Sequence, residues 1–201
     1  MKRTPPTITV LITTTITSMS EKDFKFLQWA DQGAKLFSTC SKSQYMAIIV
    51  DSEGFVLGVG YNGSPRGAAH CNEGACPRAL AGSDHKSSDY SDCIAVHAEA
   101  NALLHSDFNA RARMGGVAMY VNGEPCLECA KLIANSGVRI VYGIRENRPA
   151  LSKVEEVFVA SSIDLILYDR DEVMPVQKHE MRYAESHSLS RWKEWSRPGK
   201  S

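Results

Sequence analysis

Apolar residues recur at helical spacing through Phe24, Leu27, Ala30, Ala34 and Phe37, so residues 23–38 read as an amphipathic helix. Two short β-rich runs follow at 47–50 and 55–59, joined by Asp51-Ser52-Glu53-Gly54, which reads as a hairpin. Ala98, Ala102, Leu103 and Phe108 predict a helix over 97–108. The pattern then alternates: a strand at 117–121, a helix at 127–135 stopped by Gly137, a strand at 138–142, a helix around 150–160 and a strand at 165–168. A hairpin followed by alternating helix and strand predicts an α/β layered domain. Between the hairpin and the second helix, residues 61–92 are rich in Gly, Ser, Asp, Pro and Cys and show little periodicity. An irregular stretch that long is uncommon in a compact domain unless something else orders it.

A chain of 201 residues is long enough for one hydrophobic core without staples. Lys and Arg total 23 and Asp and Glu total 23, a balance that argues against a strong polyanion binder, whose affinity rests on basic excess. No run approaches the ~18 apolar residues of a transmembrane helix. Residues 1–18 carry Lys2, Arg3, Pro5 and Pro6 and then a Thr-laden apolar run, with no acid before Glu21. Alternating Thr spoils a secretory core, and two basic residues are thin for an organelle transit peptide. This segment reads as a non-structural extension, with Met19 an alternative start. A single folded domain is expected over 19–176. A tail over 177–201, with six basic and three acidic residues plus Trp192 and Trp195, reads as an amphipathic interface segment rather than a nucleic-acid platform.

Two short motifs carry chemistry: His97-Ala98-Glu99 and Pro125-Cys126-Leu127-Glu128-Cys129. Cys126 and Cys129 offer two thiolates one helical turn apart, and His97 a third, neutral ligand. Three protein ligands leave zinc a fourth position for water, which marks a catalytic rather than a structural site. His97 and Glu99, two apart, can converge only where a helix begins. Cys126 follows Pro125, a residue tolerated at a helix start. Two helix N-termini then aim partial positive charge at the site, favouring thiolates. Taken together and in this order, the motifs match the zinc nucleobase deaminase signature.

With Gly60-Tyr61-Asn62-Gly63-Ser64-Pro65-Arg66-Gly67, His97-Ala98-Glu99-Ala100-Asn101-Ala102 and Glu124-Pro125-Cys126-Leu127-Glu128-Cys129-Ala130-Lys131, the chain from about residue 24 to 169 resembles the deoxycytidylate deaminases of the cytidine deaminase superfamily. The resemblance implies a three-layer α/β/α fold around a mixed sheet of about five strands. It implies that His97, Cys126 and Cys129 hold a catalytic Zn2+. Glu99 would move a proton from water to N3 of cytosine and another to the departing amino group. Asn62 would contact the nucleotide, and Gly63, Ser64 and Arg66 would lie near a regulatory site for dCTP and dTTP, where Mg2+ could accompany the effector. It further implies dCMP as substrate, dUMP as product, a cytoplasmic location, no membrane or nucleic-acid partner and a homo-oligomer, a hexamer in relatives. Two departures stand inside the matched region: Asn122-Gly123 replaces a Thr and an apolar residue, and Met46 replaces a common Gly. The first borders the zinc motif.

Cys40, Cys71, Cys76 and Cys93 are expected to hold a second, structural zinc that orders the long irregular stretch, with His70 or His85 as substitute ligands. Relatives with an additional zinc in this region support that reading; buried free thiols are the alternative. Gly58-Val59-Gly60-Tyr61-Asn62-Gly63 satisfies a dinucleotide-binding pattern, but Ser64-Pro65-Arg66-Gly67 follows where that fold needs an apolar helix. His105, His179 and His187 read as surface or core histidines. A tRNA, polynucleotide or modified-nucleotide deaminase using the same zinc site is the competing function; a redox or structural zinc module would have no use for Glu99.

Overall fold

Ser20 starts the first helix by accepting from the Asp23 backbone N–H at 3.1 Å, and the acids Glu21 and Asp23 lie in the first turn, where the helix dipole favours them. In a computed structural model that describes residues 19–80, 93–107, 109, 111 and 116–174, this helix is α1 (Glu21–Phe37). The strands are β1 (Met46–Val50), β2 (Val56–Tyr61), β3 (Val117–Val121), β4 (Val138–Ile144) and β5 (Asp164–Tyr168). The remaining helices are α2 (Pro77–Leu80), α3 (Ala98–Leu104), α4 (Leu127–Ala134), α5 (Leu151–Ala160) and α6 (Arg170–Val173), with a 3-10 turn at Cys71–Glu73. The extension, the tail and His85 lie outside the described residues.

The strands form one mixed sheet in the order β2-β1-β3-β4-β5. β1 pairs antiparallel with β2 and β3, whereas β3–β4 and β4–β5 are parallel. The hairpin turn is closed by Asp51, whose carboxylate accepts from the Phe55 N–H at 2.8 Å, while Gly54 takes the left-handed φ of 94°. Alternation sorts β1 between two cores. Met46, Ile48 and Val50 pack towards α1 with Leu27, Ala30, Ala34, Tyr120 and Ile144. Ala47 and Ile49 face the opposite layer with Ala98, Ala102, Ala130, Ile133, Val154 and Phe158 of α3, α4 and α5. The result is the expected α/β/α sandwich with five strands.

Two local features differ from, or add to, the sequence reading. The helix expected over 97–108 ends at Leu104: the Ser106 hydroxyl donates back to the Ala102 and Leu103 carbonyls, and the Arg111 guanidinium donates to the carbonyls of Leu103 and Ser106 and, through Nε, to that of Ser136. Those bonds satisfy the helix end in place of another turn. Gly58 and Gly60 serve packing. A Cβ on Gly60 would overlap the backbone of Ala98 and Ala102, and one on Gly58 would sit 2.8 Å from the Ala102 carbonyl oxygen. The two glycines let α3 lie directly on β2, which fixes where His97 and Glu99 point. Met46 has a matching vacancy in α1: a Cβ on Gly33 would overlap the Met46 sulfur.

Candidate active site

Both metal-binding motifs sit at helix starts. His97 is the N-cap of α3, with extended φ −71° and ψ 153°, and Glu99 is in its first turn. Cys126 is the N-cap of α4, its sulfur accepting from the Cys129 N–H at 3.5 Å. α3 follows the bridge between Gly63 and Val96, and α4 follows the C-terminal end of β3, so the two helix starts converge at one end of the sheet. Cys126 Sγ and Cys129 Sγ each lie 3.4 Å from His97 Nδ1. A tetrahedral zinc, with Zn–N about 2.05 Å and Zn–S about 2.3 Å, separates such ligands by about 3.6 Å. The donor set therefore fits zinc in both chemistry and spacing. Among the described residues it is the one group of three His, Cys, Asp or Glu whose ligand atoms lie within 4.8 Å of one another.

The three groups share protons. A hydrogen bond from the Cys129 thiol, aided by His97, holds the Cys126 thiol well below its ordinary value, and the same bond with burial pushes Cys129 up. The hydrogen bond to Cys126 raises His97 above an ordinary imidazole. Glu99 is 5% exposed, and burial raises its carboxyl above the usual 4.5. A carboxyl displaced towards neutrality beside a metal centre has the character of a proton carrier.

His97 and Glu99 line a cleft of about 60 Å³, which Tyr45, Asn62, Arg78, Glu124 and Arg148 also line. Asn62 lines it, and its side chain clamps the chain before β1: Oδ1 accepts from the Ser38 hydroxyl at 2.5 Å and the Tyr45 N–H at 2.8 Å, and Nδ2 donates to the Ser43 carbonyl at 2.7 Å. Of the residues expected near an effector, Gly63 is buried in the bridge to Val96, Ser64 lies 3.8 Å from the Cys71 sulfur, and Arg66 is exposed.

The other cysteines share a neighbourhood but not a single point. Cys71 and Cys76 are buried and hydrogen-bonded to each other, Cys40 lies close enough for its charge to act on Cys71, and Cys93 lines the cleft beside Cys40. His70 caps the 3-10 turn, its N–H donating to Glu73 at 2.9 Å. No three of these ligand atoms come within 4.8 Å of one another.

Glu124, Tyr45, Glu146 and Arg148 were not assigned roles from sequence. The Glu124 carboxylate accepts from three successive backbone N–H groups, those of Glu146, Asn147 and Arg148, at 2.9, 3.0 and 2.8 Å. It thereby fixes the loop after β4, in which Asn147 adopts a φ of 56°. The available signal was a charged loop, Arg145-Glu146-Asn147-Arg148, at the C-terminal end of a parallel strand, where α/β sheets commonly bind ligands.

Comparison with known proteins agrees with this geometry. The family described as the cytidine and deoxycytidylate deaminase zinc-binding region matches residues 20–144. A deoxycytidylate deaminase of Mycobacterium phage D29 is 48% identical over 110 residues, covering 52% of this chain and 81% of the phage protein. One from Schizosaccharomyces pombe is 38% identical over 122 residues, covering 60% of this chain and 36% of the yeast protein. The crystal structure of a cyanophage S-TIM5 dCMP deaminase with dCMP and dUMP superposes with a TM-score of 0.56 at 23% identity, covering 75% of this chain and 99% of that one. At that identity the superposition supports the fold.

Proposed function

We propose, since the chain belongs to the cytidine and deoxycytidylate deaminase zinc-binding family, that it hydrolyses dCMP to dUMP and ammonia. The observation that carries this reading is the convergence of His97, Cys126 and Cys129 beside the buried Glu99, with His97 and Glu99 lining a cleft. His97 Nδ1 and the two sulfurs would hold zinc, which when bound supplies a Lewis acid able to bring the pKa of a water down to about 7. The Glu99 carboxylate accepts a proton from the attacking water and donates it to cytosine N3, making C4 electrophilic. The water oxygen bonds to C4. Glu99 then takes the remaining proton from the new C4 hydroxyl and delivers it to the exocyclic amino nitrogen as the C4–N bond breaks, so water and dCMP leave as dUMP and ammonia. Burial that raises the Glu99 carboxyl makes it a better proton acceptor than an ordinary carboxylate.

Cys40, Cys71, Cys76 and Cys93 are the ligands of the proposed second zinc site, with His70, or His85 from outside the described residues, as substitutes. dCTP and dTTP as effectors at Gly63, Ser64 and Arg66, a homo-oligomer and a cytoplasmic location rest on the family resemblance. Among the described residues no helix is long and apolar enough to cross a membrane. The test of substrate is ammonia release by the zinc-loaded protein from dCMP, CMP, deoxycytidine and tRNA side by side. Release fastest from dCMP is expected; release from tRNA alone would transfer the site to the polynucleotide reading.

A further inference from the structure

The departure at Asn122-Gly123 seats a cluster that the deamination step itself does not use. Asn122 Oδ1 accepts from the Met46 N–H at 2.8 Å and its Nδ2 donates to the Gln44 carbonyl at 3.0 Å, which pins the backbone on either side of Tyr45. A Cβ on Gly123 would come 2.5 Å from Tyr45 Cε1 and 2.9 Å from Glu146 Oε2. Only a residue without a side chain leaves room for both. Into that room the Tyr45 hydroxyl donates to Glu146 Oε1 at 2.8 Å, Arg148 Nε donates to Glu146 Oε2 at 2.8 Å, and Arg148 Nη2 donates to the Tyr45 hydroxyl at 2.6 Å. The Arg148 guanidinium lies 5.1 Å from the Tyr45 ring centroid, in cation–π range. Its backbone is held by Glu124.

Arg148 is thus fixed at the side chain and at the main chain, while its side chain remains 27% exposed at the edge of the cleft. Its charge acts on both His97 and Glu99. Arg78 is the other guanidinium lining this cleft among the described residues. A pyrimidine that places C4 at the metal ligands and N3 at Glu99 must direct its 5′ substituent away from the floor, towards the rim. A guanidinium whose orientation is already set loses little freedom on binding a phosphate.

We propose that Arg148, oriented by Tyr45 and Glu146, binds the 5′-phosphate and selects the nucleotide over the nucleoside. The inference rests on the deaminase reading of this cleft and assigns its specificity. The experiment is calorimetric titration of the zinc-loaded protein with dUMP and with deoxyuridine, for wild type, Arg148→Gln and Tyr45→Phe, each checked for intact fold by circular dichroism. Wild type should prefer dUMP, and Arg148→Gln should reduce the dUMP-over-deoxyuridine affinity ratio by about 10- to 100-fold, the range for losing a charged hydrogen-bonding partner. Tyr45→Phe, which frees the guanidinium without removing it, should reduce the ratio by less. A wild type without preference for dUMP, or an Arg148→Gln ratio within twofold of wild type, overturns the assignment. Ammonia release from dCMP by wild type is read separately, so a failure of the deaminase reading is distinguishable from a failure of the Arg148 role.

Discussion

Replacing Glu124 by Gln is a change of one atom that should loosen the loop bearing Arg148. In the wild type one carboxylate, only 2% exposed, serves the N–H groups of Glu146, Asn147 and Arg148. Hydrogen bonds to a charged group contribute about 1.5–3 kcal/mol each, against about 1 kcal/mol for neutral pairs. The Gln carbonyl can keep two of the three as neutral bonds. Its amide nitrogen must then face an N–H, donor against donor, which costs about 1–3 kcal/mol where the group is buried. With the carbonyl in the Oε1 position serving Glu146 and Asn147, the N–H left facing the amide is that of Arg148, which is half-buried. The net expectation is a loss of at least about 2 kcal/mol, seen in urea unfolding of the zinc-loaded protein as a lower midpoint at unchanged slope. The KM for dCMP should rise with it, because Arg148 is no longer held. A stability change under about 0.5 kcal/mol, below the value of even one such bond, would refute the loop-anchoring argument.

Gly33→Ala adds helix propensity worth about 1 kcal/mol but overlaps Met46, so it should cost about 1 kcal/mol in the wild type and gain about 1 kcal/mol in a Met46→Ala background; the same sign in both backgrounds breaks the pairing. Asp31 is buried, yet hydrogen bonds from Lys35 at 2.6 Å and Arg170 at 3.0 Å override that burial and hold its carboxyl below 3.8. A depressed folded value contributes stability that is present above pH 3.8 and is lost as pH falls through the folded value, so Asp31→Asn should flatten the acid limb of a stability–pH curve; identical limbs would contradict this. Cys71→Ser should lower zinc content by one equivalent on metal analysis, and an unchanged content removes the second site.

The metal ligands were legible in sequence because their convergence depends on local geometry. A helix start lets His97 and Glu99 share a side, and one turn of helix joins Cys126 to Cys129. The layered fold was legible because β1 and β3 are apolar on both faces while α1 carries a regular stripe. The Gly58-x-Gly60 pair was rightly set aside as a nucleotide motif, but its role in seating α3 on β2 needed the backbone contacts. The Tyr45–Glu146–Arg148 cluster was illegible for a different reason: Tyr45 lies about a hundred residues from the other two and meets them only after β1, β3 and β4 have paired. The truncation of α3 depends likewise on Arg111, which reaches back from beyond the helix.

The most direct measurement takes the metal away and returns it, following ammonia release from dCMP in wild type and in Glu99→Gln. Chelated wild type should fall silent and recover when one equivalent of zinc is restored at His97, Cys126 and Cys129. Glu99→Gln should bind that equivalent as tightly yet stay inactive. Turnover by metal-free wild type, or by zinc-loaded Glu99→Gln, would contradict the account.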